Sequence, residues 1–301
     1  MPEETFRSGT VAVVGLPNAG KSTLVNRLVG TKVAIVSDKP QTTRKRILGV
    51  ATRPGAQVVL VDTPGIHRPE HRMNAAMVRD AFDAMTGSDV VLFVVDASEK
   101  HGREERRIAE RLAREGGPPA VLALNKIDRV QKAKLLPQLA LLSSLAPFAH
   151  LVPISALHGD GVEELMTAVI SQLPEGPALF PEENPGPGAL RDKIAEQIRE
   201  PALSLTREEV PFSLAVVVED LRRDETRDLT VVDATLWVER EGQKAIVIGK
   251  GGSMIREIGT AARAACESRF GGKFYLDLRV RTRDNWREDD GFLTQIVNPE
   301  V

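Results

Sequence analysis

The chain has 301 residues, 42% of them hydrophobic and 27% charged, with 40 Lys and Arg against 42 Asp and Glu. That length fits two domains better than one, and that composition excludes global disorder. The single cysteine, Cys266, excludes an intrachain disulfide framework and a cysteine-rich zinc site, and the net charge of −2 carries no global sign of a nucleic-acid partner. No apolar run reaches the roughly 18 residues that a membrane span needs. The N-terminal MPEETFRSGT lacks the apolar stretch of a signal peptide, so the cytosol is the expected compartment.

Between residues 10 and 173, short β-branched apolar runs alternate with stretches of helical spacing. TVAVVGL (10–16), QVVLVDT (57–63), DVVLFVVDA (89–97), PAVLALNK (119–126) and HLVPIS (150–155) read as strands. Residues 21–30, 72–87, 103–115, 132–145 and 161–172 read as helices. Continuous apolar strands alternating with helices predict an α/β domain over residues 1–173, with a mostly parallel sheet and helices on both faces. Ligands of such sheets sit at the carboxyl ends of the strands. The segment PEGPALFPEENPGPG (174–188) is dominated by Pro and Gly and reads as an interdomain linker; a long surface loop is the alternative.

Residues 189–301 follow another pattern. ALRDKIAEQIREPALSL (189–205) reads as a helix interrupted near Pro201. PFSLAVVVEDLRR (211–223) and DLTVVDATLWVER (228–240) read as strands joined by a charged hairpin loop. The apolar run Ile246-Val247-Ile248 reads as a strand entering a glycine-rich turn; a helix (253–270) and a strand (271–283) follow. The order α-β-β-α-(α)-β predicts a smaller α+β domain with one sheet.

The motifs fall at the strand ends. GLPNAGKS (15–22) fits G-x-x-x-x-G-K-[ST], after a strand and before a helix. Gly15 and Gly20 let backbone N–H groups turn inward around phosphate oxygens, with Pro17, Asn18 and Ala19 between them. The following helix points its positive end at the same place. Lys21 supplies a charge for the outer phosphates, Ser22 a hydroxyl for Mg²⁺, and Thr23, beside them at the helix start, is a further nucleotide-binding candidate. In DTPG (62–65), Asp62 is placed to hold Mg²⁺ through water, and the Gly65 N–H to meet a terminal phosphate. Lys21, Mg²⁺ and backbone groups are the candidate stabilisers of charge developing during hydrolysis.

NKID (125–128) carries base specificity. A carboxylate accepts two hydrogen bonds side by side, and guanine presents such a donor pair, N1–H and the 2-amino group, whereas adenine does not. Asp128 therefore selects guanine. The Lys126 stem can cover the purine face, and Asn125 can tie loops together. Ser155, Ala156 and Leu157, one strand later, can supply a backbone N–H to guanine O6.

Over residues 8–173 the chain resembles the translation-factor-related class of GTPases. QTTR (41–44) resembles their first switch element. The resemblance implies that Thr43 closes onto Mg²⁺ and the terminal phosphate and takes part in catalysis with Lys21 and Gly65. Thr42 is the alternative, and spacing does not choose between them. Ile66 stands where many small GTPases place a water-orienting glutamine, so slow intrinsic hydrolysis is expected. Asn18 matches a position that helps bind K⁺ beside the phosphates in related GTPases, or it shapes the loop. His67 either reaches the site or lies on the switch surface.

In the second domain, Ile248 precedes Gly249-Lys250-Gly251-Gly252, a G-x-x-G element. Small residues let a nucleic-acid backbone approach, Lys250 and Arg256 meet phosphates, and this is the mechanism of a KH module clamping single strand. A plain glycine turn is the bland alternative. Residues 174–301 carry 18 Lys and Arg against 24 Asp and Glu, but residues 240–287 carry 11 against 5. One basic face on an acidic domain is expected. With 4% aromatic residues, groove packing by Ile246, Val247, Ile248 and Ile255 is expected to outweigh base stacking.

A GTPase domain followed by a type II KH domain resembles the Era family of bacterial ribosome-assembly GTPases. The residues that carry this are GLPNAGKST (15–23), QTTR, DTPGIH (62–67), NKID, ISALHGDGVEEL (154–165) and VIGKGGSMIREIG (247–259). The resemblance implies GTP and GDP as ligands and the 3′ end of 16S ribosomal RNA in the 30S subunit as partner, with no DNA. It also implies a cytoplasmic protein with peripheral association at the inner face of the membrane, although no lipidation motif or basic amphipathic helix is evident.

Overall fold

The computed structural model describes residues 5–37, 39, 41–181 and 190–297. The chain divides into two compact units, Met1–Pro69 with Asn74–Pro187 and Glu70–Met73 with Gly188–Val301.

In the first unit, β1 (Arg7–Val14), α1 (Lys21–Val29), β2 (Ile47–Arg53), β3 (Ala56–Asp62), α2 (Arg72–Thr86), β4 (Val90–Asp96) and α3 (Arg103–Leu112) come first. They are followed by β5 (Ala120–Asn125), α4 (Leu135–Ser143), β6 (Phe148–Pro153) and α5 (Val162–Gln172). The six strands lie in the order β2-β3-β1-β4-β5-β6. Only the β2–β3 pairing is antiparallel. Alternation along β1 shows why both faces are covered. Val11 and Val13 pack with Leu24, Val25 and Leu28 of α1 and Leu165 and Val169 of α5. Ala12 and Val14 pack with Phe82 and Met85 of α2 and Ile108 and Leu112 of α3. Parallel strands buried on both sides read as unbroken apolar runs, which is how this sheet is legible in the sequence.

The edge strand β2 is absent from the sequence reading. Its one-sided burial and Gly49 weaken the apolar signal. The glycine has a packing reason, since a Cβ there would stand 2.7 Å from Cγ2 of Val29.

The segment read as a linker begins differently. The Ser8 N–H donates to the Pro174 carbonyl (3.1 Å), and the Gly176 N–H donates to the Phe6 carbonyl (3.0 Å). Gln57, fully buried, accepts from the N–H groups of Leu179 and Phe180 through Oε1 (2.7 and 2.9 Å) and donates to the Phe180 carbonyl (2.8 Å). A side-chain amide thus replaces a sheet partner, and residues 174–180 run along the first unit. Residues 182–188 of that segment lie outside the described residues.

The second unit contains α6 (Leu190–Leu205), α7 (Val210–Ser213), β7 (Ala215–Asp224), β8 (Leu229–Val238), α8 (Glu241–Ile248), α9 (Ser253–Phe270), β9 (Lys273–Thr282) and α10 (Asp290–Ile296). Its sheet has the order β7-β8-β9, with β8 antiparallel to β7 and parallel to β9. Ile194, Ile198 and Ala202 of α6, Val247 of α8 and Ile258, Ala262 and Cys266 of α9 join one core with Val232, Ala234 and Leu236 of β8. Cys266 is fully buried there, and burial pushes its thiol up to about 12.

Two expectations are corrected. The helix at 190–205 is not interrupted; Pro201 lies inside it. An interior proline costs about 3 kcal/mol. Burial of Ile194, Ile198, Ala202 and Leu203 around it offsets that cost. Ile246-Val247-Ile248 is the last turn of helix α8, not a strand. Gln243 Oε1 accepts from the backbone N–H groups of Glu239 (3.0 Å) and Arg240 (3.2 Å), which fixes the helix start. Only Val247 of the three turns into the core, while Ile246 is exposed. A three-residue apolar run does not separate strand from helix, and tertiary packing outranks β-branched propensity.

Candidate functional site

Five loops leave the carboxyl edge of the first sheet, after β1, β3, β4, β5 and β6. They border a cleft of about 700 Å³ lined by residues 16–23, by Thr42, Thr43 and Gly65, and by Asn125, Lys126, Asp128, Ala156 and Leu157.

The loop after β1 is held by close contacts. Gly15 and Gly20 have φ of 153° and 93°. A Cβ on Gly15 would lie 2.2 Å from the Val94 carbonyl oxygen, and one on Gly20 would lie 2.2 Å from Asn125 Nδ2. Asn18 is exposed and also left-handed, at φ 61°. A Cβ on Gly65 would meet Pro17 at 2.8 Å, and the Ile66 N–H donates to the Gly15 carbonyl at 3.0 Å. The loops after β1 and β3 are thereby locked together. Ile66 itself is fully buried in the core, and His67 Nδ1 bonds the Gly65 carbonyl at 2.9 Å.

Lys21 Nζ donates to the carbonyls of Gly15 (3.2 Å) and Leu16 (2.9 Å). Ser22 Oγ donates to Asp62 Oδ2 at 2.7 Å and lies 3.0 Å from Thr43 Oγ1. Thr43 Oγ1 also donates to Asp62 Oδ2 at 3.4 Å. Thr42 is directed elsewhere, donating to the Lys39 carbonyl at 2.6 Å. Asp62 is fully buried and its Oδ1 has no hydrogen-bond partner. Burial pushes its carboxyl up to about 6, against the opposing charge of Lys21 and the two hydroxyls. Burial also lowers the Lys21 ammonium to about 8, against the attraction of Asp62. Two hydroxyls and an orphaned carboxylate oxygen form a hard oxygen set suited to Mg²⁺, which dehydrates reluctantly and accepts substrate phosphate oxygens as further ligands. No group of three or more His, Cys, Asp or Glu side chains among the described residues could hold a metal.

At the other end of the cleft, Asn125 Nδ2 donates to the Ala19 carbonyl at 2.8 Å, and the Ala156 N–H donates to Asn125 Oδ1 at 2.9 Å. One buried amide ties three loops. The Ala156 N–H, one of the sequence-predicted donors to a purine oxygen, is thus already engaged. Ser155 Oγ donates to Asp128 Oδ1 at 2.6 Å, and this bond above all holds the Asp128 carboxyl below its ordinary range. Arg27 of α1 donates to the carbonyls of Ala156 (3.2 Å) and Leu157, fixing the loop after β6. Arg27 and Asp96 are absent from the sequence reading. Asp96 had a positional signal, since it ends an apolar strand at the same edge as Asp62.

The second unit has its own concave surface. Gly249, Gly251 and Gly252 have φ of 73°, 60° and 78°. A Cβ on Gly249 would stand 2.7 Å from the Met254 nitrogen, whereas one on Gly251 would meet nothing within 4 Å. Gly249 is thus required by packing, and Gly251 and Gly252 by backbone conformation. Arg256 reaches back to the carbonyls of Gly251 (2.7 Å) and Gly252 (3.1 Å). Lys250 is exposed at the tip. Beside the loop, a groove of about 340 Å³ runs between α9 and β9, lined by residues including Ile255, Arg256, Arg263 and Tyr275. Tyr275, 58% exposed, offers the groove an aromatic face that low overall aromatic content hides. Of the four apolar residues expected there, only Ile255 lines it; Ile246, Val247 and Ile248 do not.

Comparison with known proteins assigns a family to part of each unit. The family described as 50S ribosome-binding GTPase matches residues 10–126, and the KH domain family matches residues 209–287. A GTPase Era from Geobacter metallireducens is 44% identical over 296 residues, spanning 98% of this chain and 99% of that protein. Another, from Syntrophus aciditrophicus, is 45% identical over 290 residues, spanning 96% and 94%. A crystal structure of Era with MgGDPNP and nucleotides 1506–1542 of 16S ribosomal RNA superposes with a TM-score of 0.92, at 39% identity over 97% of this chain and 98% of that one. A variant of Aquifex aeolicus Era bound to GDP and AlF₄⁻ gives 0.91, at 38% identity over 97% and 99%. With relatives this similar along almost its whole length, the chain belongs to the Era family of GTPases.

Proposed function

We propose that this GTPase is a nucleotide-gated switch that binds the 3′ end of 16S ribosomal RNA and acts in assembly and maturation of the 30S subunit. Residues 1–173 serve as the GTPase domain and 189–301 as a type II KH domain. The observation that carries the reading is the convergence of Ser22, Thr43 and Asp62 at one end of a cleft whose other end presents Asp128. The RNA partner is drawn from the related Era that was crystallised with nucleotides 1506–1542.

In this reading backbone N–H groups of the loop between Gly15 and Lys21, Pro17 excepted, hold the phosphates, and Lys21 stabilises the charge that builds on the outer phosphate. Mg²⁺, held by Ser22, Thr43 and Asp62, supplies Lewis-acid neutralisation of the same oxygens. Thr43 and Gly65 sense the terminal phosphate, and its loss frees the segments that carry them. Ile66 cannot orient water, so hydrolysis is slow without an activator. K⁺ beside Asn18 and peripheral attachment to the cytoplasmic face of the membrane are further expectations of the family. Among the described residues no helix is long and apolar enough to cross a membrane.

RNA lies in the groove between α9 and β9, its backbone against Gly249–Gly252. The test is binding of a short single-stranded RNA from the 16S 3′ end at fixed salt, with a non-hydrolysable GTP analogue, with GDP and without nucleotide. The GTP state is expected to bind most tightly. Lys250→Ala is expected to weaken binding several-fold and to reduce the salt slope by about 1, as loss of one phosphate contact does. Equal affinity in all three states would remove the proposed gating.

A further inference from the structure

Lys126 has an unusual backbone, with φ of 64° in the left-handed region. A non-glycine residue there is strained and persists only where the surroundings fix it. The surroundings are specific. Lys126 Nζ lies 2.5 Å from Asp96 Oδ2, with the two side chains only 21% and 12% exposed. The other carboxylate oxygen, Oδ1, accepts from the Ser98 N–H (2.8 Å) and from Ser98 Oγ (2.6 Å), so the carboxylate cannot rotate. The backbone is tied as well. Asp96 stands opposite Asn125 in the β4–β5 register, and the Ala97 N–H donates to the Asn125 carbonyl at 2.8 Å. Gln138 of α4 donates to the Ala97 carbonyl at 3.1 Å. Both Asp96 and Lys126 border the cleft.

We propose that Asp96 is a positioning residue for base binding, which pins the Lys126 ammonium so that the alkyl stem stands as a preformed apolar plate for the purine face. This rests on reading residues 125–128 as the base site. An unpinned lysine is rich in rotamers, and a ligand that uses its stem must order it on binding. Asp96 does that ordering in advance, which is the general origin of affinity gained by preorganisation. The plate covers the ring face and does not read the edge. Asp96 therefore governs affinity for purine nucleotides without governing choice between them, whereas Asp128 reads the 2-amino group.

The experiment measures GTP and ITP affinity, the hypoxanthine base of ITP being guanine without its 2-amino group. Asp96→Asn is expected to weaken both by the same factor, about tenfold, leaving their ratio unchanged. In a Lys126→Met background, Asp96→Asn is expected to add less than about a further twofold, because the group it positions is gone. Unchanged affinity in Asp96→Asn would overturn the proposal. So would an equal loss in the Lys126→Met background, which marks a general structural role. Asp128→Asn separates the proposal from the reading beneath it. A GTP-to-ITP ratio unmoved by that substitution removes the base-site reading, whereas a collapsed ratio with Asp96→Asn silent removes only the role of Asp96.

Discussion

Replacing Asp128 with asparagine is expected to turn a guanine site into a xanthine site. A carboxylate offers two acceptors to the N1–H and 2-amino donors of guanine. Xanthine keeps N1–H but carries a carbonyl oxygen in place of the 2-amino group. An asparagine amide matches that acceptor with its NH₂ while its oxygen still accepts from N1–H. For GTP the same substitution places donor against donor. Charge-assisted hydrogen bonds contribute about 1.5–3 kcal/mol each. Losing the bond to the 2-amino group against an opposing donor, and the charge from the bond to N1–H, corresponds to a loss of roughly a hundred- to a thousandfold in GTP affinity. The Ser155 hydroxyl, 2.6 Å from Asp128 Oδ1, remains to orient the amide. Titration calorimetry with GTP and XTP reads both sides of the exchange. A variant that loses GTP without gaining XTP would show that Asp128 acts through loop structure and not by reading the base edge.

Lys21→Ala is expected to lower GTP turnover by about a thousandfold or more, the order associated with removing a positive group aimed at a transferring phosphoryl. Two losses combine. The charge at the outer phosphate disappears, and the carbonyls of Gly15 and Leu16 lose the donor that shapes the loop. Lys21→Arg is expected not to rescue. Lys21 is only 6% exposed, and a planar guanidinium needs room that the closed loop does not have. Phosphate release under single-turnover conditions in saturating Mg²⁺ measures the chemical step. Activity within tenfold of the parent in either variant would move the catalytic burden away from this lysine.

The nucleotide loops were legible because each is a contiguous run that leaves one sheet edge, so spacing along the chain maps onto spacing in the cleft. Where function depends on which strands are neighbours, that mapping ends. Asp96 and Lys126 are 2.5 Å apart only because β4 lies beside β5, and nothing in either run announces the other. Thr42 and Thr43 show the same limit at the scale of one residue. Spacing admits both, and the turn through Lys39 sends one hydroxyl away and the other to Ser22 and Asp62. In the second unit, the glycine loop and its basic surroundings were readable, but the identity of the element before it was not. Ile246-Val247-Ile248 has strand-like side chains in a helix whose start is set by Gln243. Tyr275 escaped because a single exposed ring on an edge strand has no sequence pattern of its own.

The burial of Cys266 makes the second unit its own reporter. A thiol pushed up to about 12 inside a sealed core holds almost no thiolate at neutral pH. A thiol reagent can therefore modify the native chain only when the core around α9 opens, and the labelling rate becomes a clock for that opening. Because Cys266 is the sole cysteine of the sequence, the signal carries no contribution from the nucleotide cleft. A nucleotide bound in the first unit can change the rate only through energetic coupling to the second, so one reaction reads whether the two halves of the chain are thermodynamically linked.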